Sequence, residues 1–349
     1  MSTDDEEATS QKQTMQTELE NITAESKRVF EDVEEEFEQL HRVMRRFEGW
    51  KAIDKPSYAD AYVTFNLPKI FAPFISLQLV LWNPLSREEE GMEIVEIEKM
   101  KWFNQLLLYG FHDADVSMGS FKEDPDRKLM SYIVERVILP KVKDLVSCFW
   151  DPLSHVQSVR LVNLLRHYTI AYPSISPSSK QLKELVVAII AKIRDAIEND
   201  VFIPMFPKSV YESKTSGVSL FFQRQFWSSW KLLGSVLMWH RILSDSVIHD
   251  LAIRSLLNLY LLPALNLAAE INICDSLEKT RHVINVLPRE WSKNEGGTHA
   301  FLGRLEAFLV ALAVKLDPTA NVVELKEICE LLKAIGARAQ SEIVASKYL

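Results

Sequence analysis

The residues able to do chemistry are scattered. The eight histidines are His41, His112, His155, His167, His240, His249, His282 and His299. None lies three or four residues from another, the spacing that sets two imidazoles on one helical face around a metal. The three cysteines, Cys148, Cys274 and Cys329, are odd in number and far apart, which gives neither a disulfide framework nor a paired metal motif and fits a reducing compartment. The run Asp113-Ala-Asp115-Val-Ser117-Met-Gly119, ending at Asp124, comes nearest to a calcium loop. Its glycine falls one place late and its last oxygen donor is aspartate rather than glutamate, so a solvated acidic loop is the competing reading. Glycine-rich phosphate loops, His-Glu-x-x-His and Gly-x-Ser-x-Gly are all missing. The expectation is a protein that is not an enzyme and uses no cofactor or metal.

Two stretches carry the chemistry of binding instead. In Leu220–Leu233, helical spacing puts Phe222, Phe226, Trp230 and Leu233 on one face, with Gln223, Arg224 and Trp227 beside it. One reading is a buried aromatic stripe whose arginine bonds neighbouring carbonyls. The other is a partner hot spot, or a base-stacking surface, at Gln223, Arg224 and Trp227. Near the N-terminus, Phe30, Val33, Phe37, Leu40, Met44 and Phe47 follow alternating steps of three and four, the seam of a coiled coil. An amphipathic helix lying on its own domain would show the same pattern.

These candidates sit on an uneven charge distribution. The 349 residues carry a formal charge of −8, but residues 1–40 hold 13 acids against 3 bases and the rest 35 against 37. A near-neutral body has no obvious basic footprint for nucleic acid. Residues 1–17 are polar and expected to be a disordered acidic tail. Residues 18–52 are expected to form the coiled-coil-like helix, with acids leading and Arg42, Arg45 and Arg46 closing it in the sense the helix dipole favours. No secretory leader is visible, and no apolar run approaches the roughly 18–20 residues that span a bilayer, so no membrane partner is expected.

The body, 53–349, reads as helix after helix. Leu182, Leu185, Val186, Ile189, Ile190, Ile193 and Ile197 trace one apolar face, and similar patterns cover 97–109, 130–149, 156–170, 219–243, 245–268, 277–287, 298–316 and 321–345. Only 10 glycines, about 3 % against a usual ~7 %, fit this bias. A motif also repeats. Leu67-Pro68-Lys69 is followed by Trp82-Asn83-Pro84-Leu85-Ser86, and Leu139-Pro140-Lys141 by Trp150-Asp151-Pro152-Leu153-Ser154. Pro68, Trp82, Pro84, Pro140, Trp150 and Pro152 are therefore expected to build helix corners, with Ser86 and Ser154 opening the next helix as caps. The fold expected is all-α: an N-terminal coiled-coil-like helix followed by a helical-repeat, α-solenoid-like domain.

Taken in order, these blocks resemble the GCF C-terminal domain (GCFC) family of GC-rich sequence DNA-binding factors and PAX-binding proteins. Tyr58-x-x-Ala61-Tyr62 with Leu67–Pro73 and Trp82–Leu85, Val137–Lys141 with Trp150–Ser154, and Asp200–Pro204 with Phe222–Trp227 carry the likeness. Leu256-Leu257-Asn258-x-Tyr260 and Pro288-x-x-Trp291 add to it. The resemblance implies a nuclear, non-catalytic scaffold or adaptor of the spliceosome, at the late or intron-lariat stage. Its partners would be splicing factors, including a tuftelin-interacting-protein-like G-patch protein and a DEAH-box helicase. It equally implies an alternative role as a DNA-binding transcription regulator or cofactor, and direct contact with nucleic acid stays open.

Overall fold

The computed structural model describes residues 9–86, 96–109, 124–172, 175–204, 206–211, 216–292 and 300–349. Among them every regular element is helical, so the chain is all-α as expected. It divides into two compact units: residues 1–149 with 163–185, and residues 150–162 with 186–349.

The first unit begins with α1 (Thr9–Arg28), α2 (Leu40–Ile53), α3 (Lys55–Asp60), α4 (Val63–Gln78), α5 (Lys101–Leu107), α6 (Leu129–Ile133) and α7 (Leu139–Cys148). Its core is the apolar face of α4, Leu67, Phe71 and Ile75, packed with Trp102, Leu106, Ile133, Val142 and Val146, all essentially inaccessible. Two long helices, α8 (His155–Ala171) and α9 (Lys180–Asn199), contribute residues to both units. The second unit continues with α10 (Gly217–Leu237), α11 (Asp245–Ile248), α12 (Leu262–Ile271), α13 (Ile273–Val286), α14 (Gly303–Lys315), α15 (Val322–Ala334) and α16 (Arg338–Tyr348).

Near the N-terminus the structure departs from expectation. Residues 9–17, expected to be disordered, lie in α1, and the continuous helix expected over 18–52 is broken by turns across 29–39. The cause is charge. Glu31, Asp32, Glu34, Glu35 and Glu36 would repel one another at helical spacing. The turn instead brings two of them to α2, where Arg42 pairs with Glu35 at 2.7 Å and Arg46 pairs with Glu36, while Glu31 pairs with Arg28 of α1 at 3.2 Å. Arg42 also donates to the Glu35 carbonyl at 2.7 Å.

The prolines separate into two kinds. Pro84 and Pro152 sit at true corners. In each, the Asx side chain accepts from the backbone N–H two residues on: Leu85 to Asn83 Oδ1 at 3.0 Å, and Leu153 to Asp151 Oδ1 at 2.9 Å. Trp82 and Trp150 are buried beside them, and Trp150 donates to Ser158 at 3.3 Å and meets Trp239 edge-on at 5.9 Å. The cap at Ser154 takes an altered form: Gln157 Oε1 accepts from the Asp151 N–H at 2.8 Å, not from the Ser154 N–H. The equivalent partner of Ser86, Glu89, lies outside the described residues.

Pro68 and Pro140 are not corners. Pro68, with Pro73, lies inside α4, and Pro140 opens α7 directly out of a π-helical turn at Val134–Ile138. Proline lacks an N–H, and its ring presses on the carbonyl four residues back. The π turn avoids that clash by passing the Leu139 N–H to the carbonyl of Val134, five residues back. The same device recurs at Pro263, where π-helical His249–Leu261 ends with Leu262 donating to Leu257. Through it α11, the π segment and α12 run as one 27-residue helix, Asp245–Ile271, long and apolar enough to cross a bilayer by length and composition, though most of its apolar window is buried in the fold.

α15 ends on a left-handed glycine, Gly336, at φ 87°. The Ala337 N–H reaches the Leu332 carbonyl at 2.9 Å and the Gly336 N–H the Lys333 carbonyl at 3.0 Å, a Schellman closure. Because a Cβ in this conformation costs about 1–2 kcal/mol, Gly336→Ala is expected to lower unfolding stability by that amount in urea titrations. An unchanged midpoint would show that α15 ends some other way.

Candidate functional site

The coiled-coil seam is largely spent within the first unit. Phe30 stacks on Phe74 at 5.0 Å, Phe47 meets Phe71 edge-on at 6.4 Å, Leu40 and Met44 are buried, and Val33 is half-buried. Phe37 alone of the six is exposed, with the Arg46 guanidinium 4.8 Å from its ring centre.

Beneath α2 lies a polar cluster that the sequence did not reveal. Asp126, 3 % exposed, accepts from Lys51 Nζ at 2.5 Å, from Tyr58 Oη at 3.2 Å and from Thr64 Oγ1. Tyr58 and Tyr109 share a hydrogen bond of 2.9 Å, and Asp124 completes the group by accepting from Lys51 at 2.8 Å. Asp124, the last donor of the calcium-like loop, is thus committed to a lysine; Asp113, Asp115, Ser117 and Gly119 lie outside the described residues. Burial works against the charge of Lys51, but the hydrogen bonds and charges of Asp124 and Asp126 outweigh it and raise its pKa. Burial likewise works against ionised Asp124, and the hydrogen bonds it accepts from Lys51 and from the Asp126 N–H overcome it to lower its pKa. Burial first, then the neighbouring hydroxyl and charges, hold the Tyr109 phenol far above its usual range. Such a cluster orders the structure around it.

In the second unit α10 carries the aromatic segment. Ser216 caps it by accepting from the Ser219 N–H at 3.1 Å. Phe222, Phe226 and Leu233 face inward and are buried. Trp227 and Trp230 clasp His282 of α13, with ring centres 5.1 and 5.8 Å away, and Trp230 Nε1 donates to the His282 carbonyl at 2.9 Å. Lys279, 1 % exposed, is held by Asp275 and lies 5.5 Å from the Phe226 ring. Gln223 lines a cleft of about 250 Å³ with Tyr211, Phe222, Asn272 and Asp275. Among the described residues Arg224 bonds no neighbouring carbonyl; it is exposed beside Leu220 and Phe221, 59 % and 42 % exposed. The aromatic stripe is therefore core, while the arginine stands on an outward apolar face.

His167 bonds Glu98 at 2.8 Å and His240 lies against Trp291. Cys148 and Cys274 are exposed and Cys329 is buried. Among the described residues no three His, Cys, Asp or Glu side chains gather as a metal site.

Fold and surface together define an all-helical chain whose polar side chains order the packing and whose outward features suit binding. Comparison with known proteins gives the family. The profile of GC-rich sequence DNA-binding factor-like proteins, the GCFC family, matches residues 40–262. Human PAX3- and PAX7-binding protein 1 is 37 % identical over all of this chain and 38 % of its own length. Mouse Intron Large complex component GCFC2 is 32 % identical over 92 % of this chain and 41 % of its own. Transcriptional repressor ILP1 of Arabidopsis thaliana is 30 % identical over 72 % of this chain and 26 % of its own. The chain belongs to the GCFC family, and it spans about two fifths or less of the length of these relatives. Their names describe binding proteins, a complex component and a repressor, not enzymes.

The polar cluster sets a pH response. Depressed Asp124 contributes stability above the ordinary carboxylate pKa of 3.8, lost as pH falls through its lower folded value. Raised Lys51 contributes stability below 10.5, lost as pH rises through its higher folded value. Lys51→Ala leaves Asp126 buried without its counter-charge and is expected to cost about 3–5 kcal/mol near neutral pH. The cost should shrink toward both pH extremes in denaturant titrations; a cost independent of pH would contradict the pairing.

Proposed function

We propose that this chain is a non-catalytic nuclear scaffold of pre-mRNA splicing that acts through protein–protein contacts in the late or intron-lariat spliceosome. The observation that carries the reading is the outward face of α10. Leu220, Phe221 and Arg224 meet at helical spacing, exposed, with Gln223 and Trp227 alongside. Exposed aromatic and arginine side chains on a rigid helix are the composition of an interface hot spot. The relative named as an Intron Large complex component supports the splicing assignment. The partners are splicing factors, with a G-patch protein of the tuftelin-interacting type and a DEAH-box helicase the leading pair. A second reading, regulation of transcription, rests on the relatives named as a PAX-binding protein and a transcriptional repressor.

Affinity capture of the full chain from nuclear extract tests both. Splicing factors and a helicase should co-purify, and Phe221→Ala with Arg224→Glu should reduce their recovery roughly tenfold or more at unchanged helicity. Enrichment of transcription factors alone would favour the second reading. Recovery of neither class, or recovery indifferent to the α10 changes, would reject the proposal.

A further inference from the structure

We propose that the first unit binds single-stranded nucleic acid on an aromatic ladder formed by Tyr62, Phe65 and Tyr132 and flanked by Lys69, Lys128 and Arg136. Two helical stripes build it. Tyr62, Phe65 and Lys69 follow one another along the start of α4, at spacings of three and four. Lys128, Tyr132 and Arg136 follow at spacings of four through α6 and the turn after it. The stripes meet where the Phe65 and Tyr132 rings come to 5.8 Å, and Tyr62 extends the ladder with its ring centre 6.5 Å from Phe65. Two of the rings are open, Tyr62 at 68 % and Phe65 at 44 % exposed, while Tyr132 is half-buried beneath Arg136.

The backbone keeps them so. Tyr62 holds a left-handed conformation, φ 52°, that a residue with a Cβ rarely adopts, and backbone strain of this kind concentrates at working surfaces. Arg136 fixes the second stripe by donating to the Phe65 carbonyl at 2.7 Å while its guanidinium lies 5.4 Å from the Tyr132 ring centre.

Charge selects the occupant. Lys69, Lys128 and Arg136 are exposed and form no ion pair among the described residues. Of the described acids nearby, Asp124 and Asp126 pair with Lys51, Glu135 accepts from the Ser179 hydroxyl at 2.6 Å, and Asp60 lies exposed two residues before Tyr62, so three exposed cations face one exposed acid at the end of the ladder. Aromatic rings edged by exposed cations match a strand that presents flat bases and a phosphate backbone. An apolar peptide would meet the rings and leave the cations unused, and duplex DNA would meet the cations and leave the rings unused.

The test is fluorescence anisotropy of the full chain with short labelled oligouridylate, oligothymidylate and a duplex of equal length, across a salt series. Three phosphate contacts on a single strand predict a slope of about −2 in log K against log salt. Tyr62→Ala should weaken binding roughly tenfold, as loss of one stacked base would. Lys69→Glu with Lys128→Glu should flatten the slope toward about −0.7. All three side chains are exposed, and circular dichroism verifies that the variants fold. Preference for uridylate over thymidylate assigns RNA as the source, and the reverse assigns DNA; either supports the proposal. Absence of saturable binding, equal binding to duplex, or affinity unchanged in Tyr62→Ala overturns it. Ring-dependent capture of an acidic peptide without oligonucleotide binding overturns it in favour of a protein ligand.

Discussion

The first unit depends on keeping one carboxylate in its interior. Asp126 is buried, and a buried charge is tolerated only when paired and hydrogen-bonded on every side. Lys51 from the end of α2, Tyr58 from α3 and Thr64 from the first turn of α4 all converge on it. Three consecutive helices are thereby pinned to the segment that leads into α6. The geometry at the surface follows. Thr64 directly precedes Phe65 and lies two residues after Tyr62, and Tyr132 lies six residues beyond Asp126, so the interaction that satisfies the carboxylate also brings the rings together.

The second unit relies on apolar burial and on managed prolines. Its 27-residue helix passes through Pro263 without a break, because the π-helical stretch before it moves the donors away from the blocked position. With that helix intact, α10, α12 and α13 pack as a group, and the buried side of α10 spends Phe222, Phe226 and Leu233 on the core. Outward on α10 stand Leu220, Phe221, Arg224 and Lys231. A face used for packing is lost to partners.

Much of this was legible in the sequence because period and burial agree. The apolar face of 182–197 became α9, and the two Trp-Asx-Pro corners formed their Asx turns. The family likeness drawn from ordered blocks matched the profile over 40–262. The misses have physical causes. A heptad count over 30–47 registers apolar spacing but not the mutual repulsion of five acids, so the seam broke at 29–39 and folded onto its own unit. Leu-Pro looked like a helix end because proline usually is one, and only a change of hydrogen-bond register let the helix continue. The polar cluster and the aromatic ladder join residues more than sixty positions apart, and periodicity carries no information at that range. For Arg224 the sequence left two readings open, a bond to neighbouring carbonyls or a place on a partner surface, because spacing alone does not say which way one side chain faces; it is exposed.

The account holds that the two units present different surfaces, nucleic acid on the first and protein on the second. One captured complex can test both at once, by ultraviolet crosslinking of nucleotides and amine crosslinking of proteins, each mapped by mass spectrometry. Nucleotide adducts should fall on peptides containing Tyr62, Phe65 or Tyr132, and protein crosslinks on Lys231, the exposed lysine of α10. Protein crosslinks gathered around Lys69 and Lys128, with no nucleotide adduct on the ladder and none of the protein contacts on α10, would contradict it.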